Sequence, residues 1–204
     1  MKATGKGAAG NLEEQELIRR AKQGDKPSME ALFRIHVDSA VRTAYMITRS
    51  WDTAEDAVQE AFLQAFRSLD KFQDGRPFKP WFAKIVVNKS RKLWARFGAS
   101  WDELDPQHAD DSARGLPEAQ VLEGERRARL IEALKLLGEN HRLVLVLKYL
   151  SGLTEAEIGE VLGVPVSTVK SRLFVARKQL GQKLALIEGG DPNGKAQSGR
   201  SQRR

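Results

Sequence analysis

Two stretches of the sequence carry side chains suited to holding a polyanion. Residues 75–100 contain seven cations, Arg76, Lys79, Lys84, Lys89, Arg91, Lys92 and Arg96, and no acid. Phe72, Phe78, Trp81, Phe82, Trp94 and Phe97 are interleaved with them. Cations follow a phosphate backbone, and ring faces stack on unpaired bases at about 1–3 kcal/mol each, so the mixture suits single-stranded nucleic acid. Asn88 adds an amide donor and acceptor that can read a base edge. Rings also build cores. Trp81, Phe82 and Ile85 continue an inward helical stripe and belong there, whereas Phe72 and Phe78, flanking a Gly-Pro loop, fit either use.

The second stretch is TEAEIGEVLGVPVSTVKSRLFVARKQL, residues 154–180. Thr154 and Glu157 have the spacing of a capping box and start a short helix. Gly163 ends it, because glycine reaches the left-handed conformation without cost. Gly159, one turn earlier, leaves room for a closely crossing helix. Val164-Pro165-Val166 makes the turn, and Ser167 is the expected cap of the next helix. In that helix Val169, Leu173, Ala176 and Leu180 form the inward stripe. Thr168, Lys170, Ser171, Arg172, Phe174, Val175 and Arg177 occupy the other faces. A helix-turn-helix whose second helix presents hydroxyls and long cations fits a DNA major groove, where Arg and Lys bond guanine edges or phosphates.

These residues need helices to position them. From Trp51 to Phe72, Ala54, Val58, Ala61, Phe62, Ala65, Phe66 and Leu69 repeat with a helical period. Asp52 and Glu55 offer a capping box at its start. An earlier helix is expected from Pro27 to Arg49, and a later one from Lys79 to Phe97, after a turn over residues 73–77. In the second half, helices are expected over 118–137 and 140–150. The LVLVL run inside the latter resembles a buried strand, but no partner strand exists for it. The fold class is therefore all-α.

Charge divides the chain. Residues 12–74 hold 12 acids and 9 bases, and residues 98–125 hold eight acids and one base. Residues 163–187 carry five bases and no acid. Two basic blocks separated by an acidic stretch containing Pro and Gly indicate two modules and a linker. The expected boundaries are a tail over 1–11, a first domain over 12–97, an acidic linker over 98–117, a second domain over 118–187 and a basic tail over 188–204.

Composition excludes several classes. The 204 residues carry a net charge of +7 and no Cys, which removes disulfides, thiolate metal sites and Cys nucleophiles. His36, His108 and His141 have no metal-ligand spacing. The longest apolar run, 143–147, is far too short to span a bilayer, and the N-terminus lacks the apolar core of a secretory signal. The expected compartment is the cytoplasm. No Gly-rich phosphate loop, metal cluster or nucleophile–base pair is present, so neither a cofactor nor enzymatic activity is expected.

The run DTAEDAVQEAFLQAFRSLDKF (52–72), followed by FKPWFAKIVVN (78–88), resembles region 2 of bacterial RNA polymerase sigma factors. LTEAEIGEVLGVPVSTVKSRL (153–173) resembles their region 4. The order, the spacing and the lack of other sigma domains resemble the compact extracytoplasmic-function (ECF) class. The resemblance implies a promoter-specificity factor that binds core RNA polymerase and helps open DNA. It implies that Asp56, Gln59, Glu60 and Phe62 meet the β′ clamp helices, and that a region 4 contact is made with the β flap. It implies that the loop and helix from Phe72 to Asn88 open the minus-ten element, with one base flipped into a pocket formed mainly by residues 72–77. Phe72 and Asn88 are the expected centre of that site, with Lys84, Lys89, Arg91, Lys92 and Arg96 on nearby phosphates. For the minus-35 element it implies Lys148, Ser167, Thr168, Lys170, Ser171, Phe174 and Arg177. Arg91, where many members carry an acid, and Val175, where some carry a base, depart from the family pattern. The acidic linker residues Asp102, Glu103, Asp105, Asp110 and Asp111 either mimic nucleic-acid charge within polymerase or are simply solvated. An anti-sigma factor is a further implied partner.

Two rival classes make different demands. A stand-alone repressor or activator leaves the acidic face of residues 52–66 without a use. A recombinase needs a nucleophile with Arg or His partners, or a carboxylate cluster, and the sequence offers neither.

Overall fold

The structure, a computed structural model, describes residues 5–97 and 118–188, with side chains for 12–96 and 124–188. The linker expected over 98–117 lies outside the described residues, as does the C-terminal tail beyond residue 188. The described residues are helical, without strands: α1 (Gly5–Lys22), α2 (Lys26–Thr48), α3 (Trp51–Arg67), a 3₁₀ turn (Leu69–Lys71), α4 (Phe78–Phe97), α5 (Glu118–Lys135), α6 (Glu139–Leu145), α7 (Glu155–Leu162) and α8 (Val166–Ile187).

Local chemistry sets the helix ends. Asp25 caps α2 by accepting from the Ser28 N–H at 3.1 Å, with Pro27 in the first turn. Arg49 closes α2 in the left-handed conformation, φ 60°. Helix α3 is capped by Ser50, which accepts from the Thr53 N–H at 3.3 Å, not by the expected Asp52/Glu55 box. Ser50 is the last extended residue, so its hydroxyl reaches the free N–H groups first. Helix α1 begins at Gly5, inside the stretch expected to be a tail. Its buried Ile18 and Ala21 anchor the later turns, and extending a nucleated helix costs less than starting one.

The first core lies among α1–α4, with Leu32, Ala54, Val58, Ala61, Phe62, Leu69, Phe72, Phe78 and Phe82 buried. The second is built by Leu137, Leu143, Val144, Leu147, Ile158, Val161, Val169 and Leu173. The LVLVL run is wholly buried within α6 and the π-type turn Val146–Leu150 that extends it, which settles its helical character.

The second core also takes in Ile47 of α2 and Val87 of α4, so the two helical domains pack against each other. Arg142, 4% exposed, lies across this junction. Its guanidinium donates to the Met46 carbonyl at 2.6 Å and to the Leu137 carbonyl at 2.8 Å. Burial pulls its pKa below the usual arginine range, the Arg49 charge adds to that, and Glu139 opposes it. Thr43 and Ser151 share a buried 3.1 Å hydroxyl contact across the same seam.

Candidate nucleic-acid interface

Helix α4 turns one face outward. Lys84, Asn88, Lys92 and Arg96 follow one another at intervals of four and are all exposed, so they form a continuous strip along the helix. Trp94 of the same helix is 45% exposed. Lys89 and Arg91 flank the strip, and each is held by a carboxylate. Lys89 pairs with Glu60 at 3.0 Å, and Arg91 with Glu139 at 2.8 Å.

Phe72 requires a correction. Its ring is 4% exposed and packs against Phe78 and Trp81 at centroid distances of 5.8 and 5.1 Å. Neither face is open for a base to stack on, and Phe78, fully buried, resolves the same way. Both rings anchor the ends of the 73–77 loop, whose residues are exposed. An apolar pair closing a short loop is worth more buried than solvated.

On α3, Asp56, Gln59 and Glu60 share an exposed face. Phe62 does not belong to it. It is 3% exposed and packs against Phe33 and Phe82 at 4.7 and 4.3 Å. The helical period puts residue 62 in line with Val58 and Ala65, on the inward side. The apolar part of the outward face comes instead from Leu63, 50% exposed, with Phe33 nearby at 40%. Leu63 was legible as the residue four after Gln59, an apolar side chain on a polar stripe.

The helix-turn-helix forms as its sequence indicates. Thr154 and Glu157 make both bonds of the capping box, and Gly163 closes α7 at φ 67°. A Cβ on Gly159 would lie 2.9 Å from the Val164 carbonyl oxygen and within 4 Å of Val166, so the small residue accommodates the turn and the start of α8. Ser167 is not the cap of α8. The helix starts at Val166 after Pro165, without a side-chain cap bond, and the exposed Ser167 stands within its first turn.

Val169, Leu173 and Ala176 of α8 are buried, while Lys170, Ser171, Phe174 and Arg177 are exposed and Thr168 half-buried. Phe174, 73% exposed, is a large ring with no core to fill. Lys148 is half-buried. Tyr149 was missed by the sequence reading. Its hydroxyl accepts from Arg177 Nε at 2.8 Å, and the guanidinium lies 5.7 Å from its ring centroid. No sequence signal links residues 28 apart on different helices.

Among the described residues no group of carboxylates, His or Cys could hold a metal ion. No described helix is long and apolar enough to cross a membrane.

Residues 32–99 match the Sigma-70 region 2 family and residues 127–180 match Sigma-70, region 4. The ECF RNA polymerase sigma factor SigW of Bacillus subtilis is 30% identical over 176 residues, covering 82% of this chain and 94% of that protein. The ECF RNA polymerase sigma-E factor of Escherichia coli is 29% identical over 184 residues, 85% of this chain and 95% of its own length. Among solved structures, CnrH in complex with the cytosolic domain of CnrY superposes with a TM-score of 0.63 at 26% identity, covering 87% of this chain and 99% of CnrH. The sigma factor RpoE of Bartonella quintana, solved with the anti-sigma factor NepR, shares the fold with a TM-score of 0.61 at 22% identity, covering 77% of this chain and 96% of its own.

The chain belongs to the ECF RNA polymerase sigma factors, which are promoter-recognising subunits. Proteins of this family are transcription initiation factors that work with RNA polymerase.

Proposed function

We propose that the two domains divide promoter recognition, the first docking on core polymerase and holding the opened minus-ten strand, the second reading the minus-35 duplex. One observation carries this reading. The Lys89–Glu60 bridge joins the outward face of α3 to the cationic strip of α4, so a polymerase-facing edge and a strand-holding edge adjoin. Asp56, Gln59, Glu60 and Leu63 suit a basic, partly apolar partner helix, assigned here to the β′ clamp helices. Lys84, Asn88, Lys92 and Arg96 follow the displaced strand, with Lys89 and Arg91 joining once their carboxylates let go. A base flipped into the 73–77 loop offsets part of the unstacking cost, so binding and melting are coupled without ATP. Lys148, Ser167, Thr168, Lys170, Ser171, Phe174 and Arg177 meet the upstream duplex, and the second domain meets the β flap.

The chain itself catalyses no covalent step in this reading, and it acts in the cytoplasm. An anti-sigma factor covering the same faces is the partner that holds it inactive, in keeping with the complexes in which related folds were solved. The test is reconstitution with core polymerase followed by footprinting on a transcribed promoter. Protection of both elements, with permanganate-reactive thymines only downstream, supports the division. Protection of the upstream element alone removes the role given to the first domain.

A further inference from the structure

The 73–77 loop does not stand by itself. Helix α1, to which the sequence reading gave no role, grips it at both ends. Gln15 makes a reciprocal pair, its Nε2 donating to the Arg76 carbonyl at 2.7 Å while its Oε1 accepts from the Gly75 N–H at 3.1 Å. One turn and three residues further along α1, Lys22 Nζ donates to the Phe72 carbonyl at 2.7 Å and to Asp74 Oδ1 at 2.5 Å. The same ammonium lies 5.9 Å from the Phe72 ring centroid. Two side chains of one helix thus hold three consecutive loop residues, Asp74, Gly75 and Arg76, and the Phe72 carbonyl just before them. Gly75 sits at φ 79°, a conformation the Gln15 bond keeps in place.

We infer that Gln15 and Lys22 are positioning residues for strand capture, pre-ordering the 73–77 loop and neutralising Asp74 so that the loop can accept an unpaired base. The inference rests on the reading of this loop as the minus-ten base-capture element. Two physical effects carry it. A loop already fixed in its bound shape does not lose that conformational entropy when the strand arrives. Asp74 is 76% exposed on its side chain and would otherwise present a bare carboxylate to incoming phosphates. Lys22, with a side chain 19% exposed, is held against that carboxylate and offsets its charge.

The test uses holoenzyme reconstituted from core polymerase and the full chain, with a pool of short single-stranded DNAs of randomised centre as the probe. Both affinity and the base enriched at each position are read. Gln15→Ala and Lys22→Met are each expected to weaken binding about five- to tenfold, the cost of re-ordering one freed loop residue, and to flatten the base preference at one position. Lys22→Arg is expected to keep both the affinity and the preference. Adding Asp74→Asn to Lys22→Met is expected to recover about two- to threefold by removing the unpaired charge. Binding to duplex DNA by the second domain should be unchanged throughout. A purely structural role for these residues would lower the unfolding temperature without altering the base profile. If Lys22→Met does not fold, Gln15→Ala, which removes no charge, carries the test. Wild-type affinity and profile in the α1 variants, alongside a changed profile in Gln73→Ala, would overturn the inference and leave the loop's reading standing. An unchanged profile in Gln73→Ala, Asp74→Asn and the α1 variants alike would overturn both.

Discussion

Arg91 of α4 and Glu139 at the start of α6 form a 2.8 Å ion pair that joins the two helical domains. A cation that the proposed reading gives to promoter phosphates is thus paired with a carboxylate of the other domain. A strand that takes Arg91 must compete with Glu139. Glu139→Gln is therefore expected to raise the affinity of the isolated chain for single-stranded DNA by about two- to threefold at low salt, since the competing charge is gone. Both partners are more than a third exposed, so the unfolding free energy should move by no more than about 1 kcal/mol. Fluorescence anisotropy and urea titration measure the two effects.

Asp56 and Gln59 are exposed and fill no core. Replacing both by Ala should leave the helical circular dichroism intact and weaken binding to core polymerase by about tenfold or more, as truncation of interface anchors does. Leu63→Ser should act in the same direction, whereas Phe62→Ala should destabilise the first domain by about 3–5 kcal/mol, as loss of a buried ring does. Competition for core polymerase against the labelled wild-type chain separates these outcomes.

Lys170 and Arg177 face outward on α8. Each Ala substitution should weaken binding to upstream promoter duplex and lower the slope of log K against log salt by about one unit, the contribution of one phosphate contact. A change confined to one base position, without a change of slope, would assign that side chain to a base edge instead. Tyr149→Phe keeps the ring beneath Arg177 and loses the hydroxyl that accepts from it, so a smaller loss of affinity at unchanged slope is expected.

Arg142 satisfies carbonyls that belong to both domains. Arg142→Met keeps much of the aliphatic stem and leaves the Met46 and Leu137 carbonyls without that donor. At about 1–3 kcal/mol for each buried polar group left unpaired, the unfolding free energy should fall by about 2–6 kcal/mol. Hydrogen exchange should rise at the C-terminal end of α2 as well as in α6, because the bond spans the seam.

Much of this architecture is written locally. The helical period sets the inward sides of α3, α4 and α8, and the Thr154/Glu157 box with Gly163 marks both ends of α7. What the sequence hid is of three kinds. Phe62 and Phe72 stand in a motif whose letters name residues without saying which way they point. The helical period already turned Phe62 inward, and the motif assignment overrode it. Phe72 stands at the end of an irregular 3₁₀ turn, where no period applies. The second kind is long-range. The bonds of Gln15 to the 73–77 loop, of Arg177 to Tyr149 and of Arg142 to Met46 join residues 61, 28 and 96 apart, which no window along the chain can register. Ser50 and Ser167 show a third limit. Several capping residues compete near a helix start, and backbone geometry decides among them.

Run-off transcription with purified core RNA polymerase over a promoter library tests the central claim most directly. The account predicts transcripts that require this chain, start on templates sharing an upstream and a downstream element, and disappear with the Asp56/Gln59 double variant. Absence of any initiation above that of core enzyme alone, with both components folded and uninhibited, would contradict it.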